Sequence, residues 1–147
     1  MTEKKKDDTG LLFVYGTLKI DTGESFARQF DHVRLDAKPA SAKGLLYDLG
    51  YFPGVVFGGD EVVHGELHKY DDWENVIAAM DRIEGYYGKN NSHNLYNRVR
   101  VQVLMNHNEI YVTATAYEFA QGVSKRTPIA DGIWVIDKPK EKGAENE

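Results

Sequence analysis

Between Leu11 and Phe119 the chain is a succession of short strand-forming runs cut by glycine, and only one segment has a strong helical period. That pattern constrains the fold more than any other feature. It lacks the regular strand–helix alternation of a doubly wound parallel sheet, and it predicts an α+β fold built on an antiparallel sheet or small barrel. Leu11 to Tyr15 is a continuous apolar run stopped by Gly16, as expected of a buried strand. After Lys19, Asp21 or Thr22 is placed to cap a short helix carrying Phe26, Ala27 and Phe30. Val33, Leu35 and Ala37 alternate with polar residues like a half-buried strand, and Gly44 to Tyr47 reads as a further short one. Leu49 to Gly54 is a turn region. Val55 to Phe57, then Gly58-Gly59-Asp60, then Glu61 to Lys69 read as a hairpin.

The helix is predicted over Trp73 to Glu84, with Trp73, Val76, Ile77, Met80 and Ile83 on one stripe. Asp71 followed by Glu74 resembles a capping box, and Gly85 is well placed as the C-terminal stop. Lys89 to Asn94 reads as a loop. Val99, Val101 and Val103 mark a two-faced strand, Asn106 to Glu109 a turn, and Ile110 to Phe119 the returning strand. The ends, residues 1–10 and 137–147, are polar and non-periodic and are expected to be disordered tails around a single domain spanning 11–136.

The 147 residues carry 18 Lys+Arg against 23 Asp+Glu, a net charge of −5, which argues against a duplex nucleic-acid partner. The absence of cysteine removes disulfides, thiolate nucleophiles and Cys-ligated metals. No apolar run approaches the roughly 18 residues of a membrane span. The charged start lacks the apolar stretch of a secretory signal, so the expected location is the cytoplasm, with no membrane role.

Four constellations can carry chemistry. At Val14 to Lys19 (VYGTLK) a strand ends in a glycine turn whose backbone N–H groups can form a nest for a carboxylate or oxyanion; the plain alternative is an ordinary strand-ending turn. At Asp81 to Tyr86, Glu84 falls in the last helical turn, three residues from Asp81. The negative end of the helix, partial burial and Asp81 would each raise its pKa, which suits a proton carrier near neutral pH. The alternative is a solvated acid paired with Arg82 or Lys89. On a strand, His64, Glu66 and His68 share a face, but the outer two stand about 13 Å apart along the backbone, too far for one metal ion, so no metal site is expected. Tyr96 and Arg98, two apart at a strand start, can offer a phenol and a guanidinium to one pocket or lie on a polar surface. His32, His93 and His107 stand singly and read as surface residues.

Taken in order, VYGTLK (14–19), LGYFPGVV (49–56), VVHGELHKYD (62–71), MDRIEG (80–85) and LYNRVRVQV (95–103) resemble the γ-glutamylcyclotransferase-like family. The YGTLK and MDRIE versions are most similar to its γ-glutamylamine cyclotransferase branch and small bacterial relatives. His68 and the segment after Lys19 depart from the family pattern. The resemblance implies a small mixed, mostly antiparallel β-barrel flanked by helices, with a cavity at its mouth. It implies a glycine loop at Tyr15, Gly16, Thr17 and Leu18, a catalytic Glu84 and a substrate-binding Tyr96. It further implies a small-molecule γ-glutamyl substrate, cyclised to 5-oxoproline by attack of its own α-amine, without metal or cofactor. A non-catalytic module that binds a small metabolite or a protein in the same cavity is the alternative, and such a module has no need of Glu84.

Overall fold

The computed structural model describes residues 10–16 and 28–135. Strands β1 (Leu11–Val14), β2 (Arg34–Asp48) and β3 (Pro53–Tyr70) precede helix α1 (Trp73–Glu84); β4 (Tyr96–Met105), β5 (Tyr111–Phe119) and the two-residue β6 (Thr127–Pro128) follow it. The sheet order is β3-β1-β5-β4-β2-β6, and β2 also pairs with β3, so five strands close into a barrel with β6 added at β2. Among the described residues only the β1–β5 pairing is parallel, at Leu12 and Thr115; the others are antiparallel. This is the small mixed, mostly antiparallel barrel expected, and α1 is the one α-helix complete within the described residues. None of the described helices is long and apolar enough to cross a membrane.

Alternating side chains on each strand feed two cores. Inside the barrel lie Phe13, Tyr15, Leu46, Val55, Val63 and Val103, with Trp134 packed against them. On the outer wall Leu12, Val14, Tyr96, Tyr117 and Phe119 pack under Val76 and Met80 of α1. Both faces of β1 are therefore buried, which is why its sequence is an unbroken apolar run rather than an alternation.

Several boundaries differ from the sequence pattern. The segment 34–48 is one strand rather than two short ones, and Val33 sits in the 3-10 turn before it. Leu35 is 60% exposed, not half-buried. Arg34 pairs with Tyr70 and Asp36 with Lys69, so Leu35 is the extra residue of a bulge, and its side chain leaves the alternation. The Gly58-Gly59-Asp60 segment is not a hairpin turn. Lys43 pairs with Val62 and Gly44 with Phe57, so residues 58–61 bulge out of one continuous strand. The true reversal is at Leu49–Phe52, between β2 and β3, where the Leu49 N–H bonds the Phe52 carbonyl at 3.0 Å.

Helix α1 has the bounds its periodicity predicts, but its start does not use the expected capping box. Asp71 accepts the neighbouring Asp72 N–H, and Asp72 itself, in the left-handed region, holds Asn75 through its carboxylate. Gly85 ends the helix with φ 69°, a conformation that lets the Tyr86 N–H return to the Asp81 carbonyl at 2.9 Å. Of the helix expected from Asp21 or Thr22, residues 17–27 lie outside the described residues; Phe30 is buried against Tyr70. Gly10, at the edge of the expected N-terminal tail, is buried, and its carbonyl accepts the Tyr70 N–H. The tails at 1–9 and 136–147 lie outside the described residues.

Candidate active site

Three elements bring Glu84 and its neighbours together. Strand β1 delivers Tyr15 and Gly16, α1 ends on Glu84, and the start of β4 supplies Tyr96. Gly16 lies against Pro53 so closely that a Cβ there would stand 2.8 Å from the proline ring. The Tyr96 hydroxyl donates to the Pro53 carbonyl. The Tyr15 hydroxyl donates to the Tyr117 carbonyl at 2.6 Å, and the Val55 N–H reaches the same phenol. Pro53 thus ties the glycine turn to Tyr96, and Tyr15 ties it to β5. Thr17 and Leu18 of the expected loop lie outside the described residues.

Glu84 is partly buried and has no hydrogen-bond or ion-pair partner among the described residues. Burial raises its pKa from the ordinary 4.5 to about 7. The direction agrees with the sequence reading; the cause is burial, not the Asp81 charge or a partner at the helix end. The same carboxylate adds to the burial that raises the phenols of Tyr15, Tyr96 and Tyr117, so all three rings stand within reach of its field. A carboxyl held among phenols and left without a fixed partner can both take and give a proton near neutrality.

Asp81 is occupied elsewhere. Its Oδ1 accepts the Tyr117 hydroxyl at 2.6 Å and its Oδ2 accepts the Arg98 guanidinium at 2.6 Å. Arg98 also lies over the Tyr86 ring, 5.1 Å from its centroid. Tyr96 and Arg98 share the outer face of β4 as their spacing suggests, but Arg98 turns to the helix. Tyr117 was not singled out by the sequence, where it reads only as a strand former. Its role becomes visible once β5 is placed beside Tyr15 and α1.

A cavity of 820 Å³ lies beside the first half of α1, lined by Trp73, Glu74, Ile77, Arg98, Arg100 and Thr115 among others; neither Glu84 nor Gly16 lines it. The His64, Glu66 and His68 set does not act together. His64 is exposed, whereas buried His68 bonds Glu66 at 2.8 Å and the Tyr70 hydroxyl at 2.8 Å. Among the described residues no three His, Asp or Glu side chains are grouped to hold a metal ion. His32, His93 and His107 are at the surface.

The sequence profile of the family described as "Gamma-glutamyl cyclotransferase, AIG2-like" matches residues 12–136, which include the glycine turn, Glu84 and Tyr96. The chain belongs to that family. It is 34% identical over 93 residues to the γ-L-glutamyl-butirosin B γ-glutamyl cyclotransferase of Niallia circulans, covering 63% of this chain and 56% of that protein. To a putative γ-glutamylcyclotransferase of Vibrio cholerae it is 42% identical over 78 residues, covering 50% of this chain and 61% of the relative. These two matches therefore span little more than half of each relative. The fold is that of an aig2-like protein from Mus musculus (TM-score 0.62, 17% identity, 89% of this chain and 97% of that one). It is also that of the ytfP protein from Escherichia coli (TM-score 0.57, 26% identity, 84% and 95%).

Proposed function

We propose that the protein is a γ-glutamyl cyclotransferase that releases 5-oxoproline and an amine or amino acid from a small γ-glutamyl compound. The observation that carries this reading is Glu84, a carboxyl with no fixed partner among the described residues and a pKa raised by burial to about 7, whose charge acts on Tyr15 beside Gly16 in a chain of this family. The names of the relatives support cyclotransferase chemistry in general.

The reaction is a ring closure within the substrate. Glu84 takes a proton from the α-ammonium, and the freed amine attacks the γ-carbonyl carbon. A C–N bond forms and the carbonyl oxygen takes up the charge. Main-chain N–H groups of the turn at Tyr15, Gly16, Thr17 and Leu18 hold that oxygen or the substrate α-carboxylate. As the tetrahedral centre collapses, the bond to the departing nitrogen breaks and the protonated Glu84 supplies its proton; the carboxylate so restored carries the second proton of the ring nitrogen to the departing amine, which leaves as the ammonium. The phenol of Tyr96 gives its own proton to Pro53, so its oxygen faces the substrate as an acceptor for the ammonium. One carboxyl serves all these proton transfers, and the scheme calls on no metal, cofactor or nucleophilic side chain. Holding the chain curled supplies much of the rate, because attack within one molecule replaces an encounter between two.

The resemblance of the YGTLK and MDRIE motifs to the γ-glutamylamine branch favours a simple amine as leaving group. The test is a panel of γ-glutamyl amines, γ-glutamyl amino acids and glutathione, with 5-oxoproline and the free amine measured by mass spectrometry. The two products should appear in equal amounts with at least one class of substrate. A folded protein that releases no 5-oxoproline from any of them would leave the reading without support.

A further inference from the structure

We propose that Asp81 is a positioning residue for Glu84, its charge taken up by Arg98 and its carboxylate and carbonyl together fixing the turn from which Glu84 projects. The proposal rests on the reading of Glu84 as the proton carrier. It comes from the geometry of a single residue that is bonded on every side.

The Asp81 side chain joins α1 to both strands beneath it, taking Tyr117 of β5 on one oxygen and Arg98 of β4 on the other, each at 2.6 Å. Its carbonyl accepts the Tyr86 N–H at 2.9 Å across the Gly85 stop, so the main chain on the far side of Glu84 is tied to the same residue. Arg98 is in turn held over the Tyr86 ring. Residues 81 to 86 therefore form a closed loop of contacts with Glu84 inside it. This arrangement ties the main chain on both sides of Glu84 and places no bonded partner on Glu84 itself among the described residues.

The pairing has an electrostatic consequence. Two carboxylates three residues apart on a helix are neighbours, about 5–6 Å apart at Cβ, and an unpaired Asp81 would oppose ionisation of Glu84. Arg98 is paired with Asp81 and offsets that charge, which agrees with burial being the cause of the raised Glu84 pKa. The other groups that feel the Glu84 charge are Tyr15 after β1, Tyr96 of β4 and Tyr117 of β5, and Glu118 acts in turn on Tyr15. The phenols are uncharged at working pH, and one oxygen of Glu118 is held by the Phe57 N–H. Removing either member of the Asp81–Arg98 pair leaves the other's charge uncompensated at the end of α1.

The experiment is a titration of the Glu84 side-chain carboxyl by 13C NMR in the wild type and in Asp81→Asn, Arg98→Met and the double variant, with Glu84→Gln assigning the resonance. Asn keeps an acceptor for Tyr117 and removes the charge, so Arg98 is left unbalanced and the midpoint should fall by about half a unit to one unit. Met removes the cation and leaves Asp81 unbalanced, so the midpoint should rise by a similar amount. The double variant should return to the wild-type value. A merely structural Asp81 gives a different pattern: either single change loosens the turn, admits water and moves the midpoint downward. Two downward shifts, or no shift in either single variant, overturn the proposal. If Asp81→Asn fails to fold, the sign of the Arg98→Met shift still decides; if Arg98→Met fails to fold, Arg98→Gln takes its place and must shift the midpoint upward. The readout does not need turnover, so a wild type that forms no 5-oxoproline but shows the opposed shifts would refute the enzymatic reading and not this one.

Discussion

Replacing Glu84 by Gln should make the protein more stable at pH 8 while removing its activity. The carboxyl is raised from 4.5 to about 7 by burial, so in the folded protein it keeps a proton that the unfolded chain has already lost. Folding then binds more protons than unfolding over that span, and stability falls as pH rises. The contribution of this group is fully present below 4.5 and is lost as pH passes through about 7. Each pH unit of the span is worth about 1.4 kcal/mol, which sums to about 3.5 kcal/mol; the partial exposure of Glu84 reduces it to roughly 2 kcal/mol. Gln has nearly the same shape and no charge to desolvate. The difference in unfolding free energy between Glu84→Gln and wild type, from urea denaturation at a series of pH values, should therefore be flat below pH 4.5. It should climb through pH 5 to 7 and level off near 2 kcal/mol in favour of Gln. All other titrating groups are shared and cancel in the difference. A difference that does not change with pH, or a variant less stable than wild type at pH 8, would refute the claim that this carboxyl is ionised at a cost.

Three further outcomes follow from the same geometry. Since the reacting form of Glu84 is the carboxylate, kcat/KM for a γ-glutamyl substrate should fall on the acid side with a midpoint near 7; an acid limb near 4.5 would mean that burial does not act on the catalytic group. Tyr96→Phe leaves the Pro53 carbonyl without its buried donor and should cost about 1–2 kcal/mol in urea titrations, with a loss of at least tenfold in kcat/KM. Gly65→Ala puts a Cβ 2.1 Å from the Val14 carbonyl oxygen, immediately before Tyr15 and Gly16, and should destabilise by at least about 2 kcal/mol in thermal or urea unfolding.

How far the sequence reached depends on the range of the forces involved. Helix α1 was legible to the residue, because Trp73, Val76, Ile77, Met80 and Ile83 form a stripe and Gly85 stops it. The buried character of β1 was legible because both its faces meet apolar partners. The continuity of β3 was not. Glycines mark bulges and turns alike, and only the pairing of Lys43 with Val62 and Gly44 with Phe57 tells that residues 58–61 are an excursion from one strand. Leu35 was misread for the same reason, since a bulge shifts a side chain without leaving a mark in the local pattern. At the candidate site, motifs singled out Glu84, Gly16 and Tyr96. They did not mark the surroundings that set the Glu84 pKa. Tyr117 is 33 residues from Glu84 in the chain and Pro53 is 43 from Tyr96, and those contacts exist only once the barrel has closed. Asp81 was expected to help raise the Glu84 pKa by repulsion; burial accounts for the rise, and the Asp81 carboxylate is taken up by Tyr117 and Arg98.

The most direct measurement is the identity and oxygen content of the product formed in water enriched in 18O. Ring closure uses the substrate's own amine, so 5-oxoproline should carry no solvent oxygen, should be released together with the free amine, and should be missing from the Glu84→Gln reaction. Glutamate bearing one solvent oxygen would instead mean that water is the attacking group. Unlabelled 5-oxoproline made equally well by Glu84→Gln would mean that another residue moves the protons.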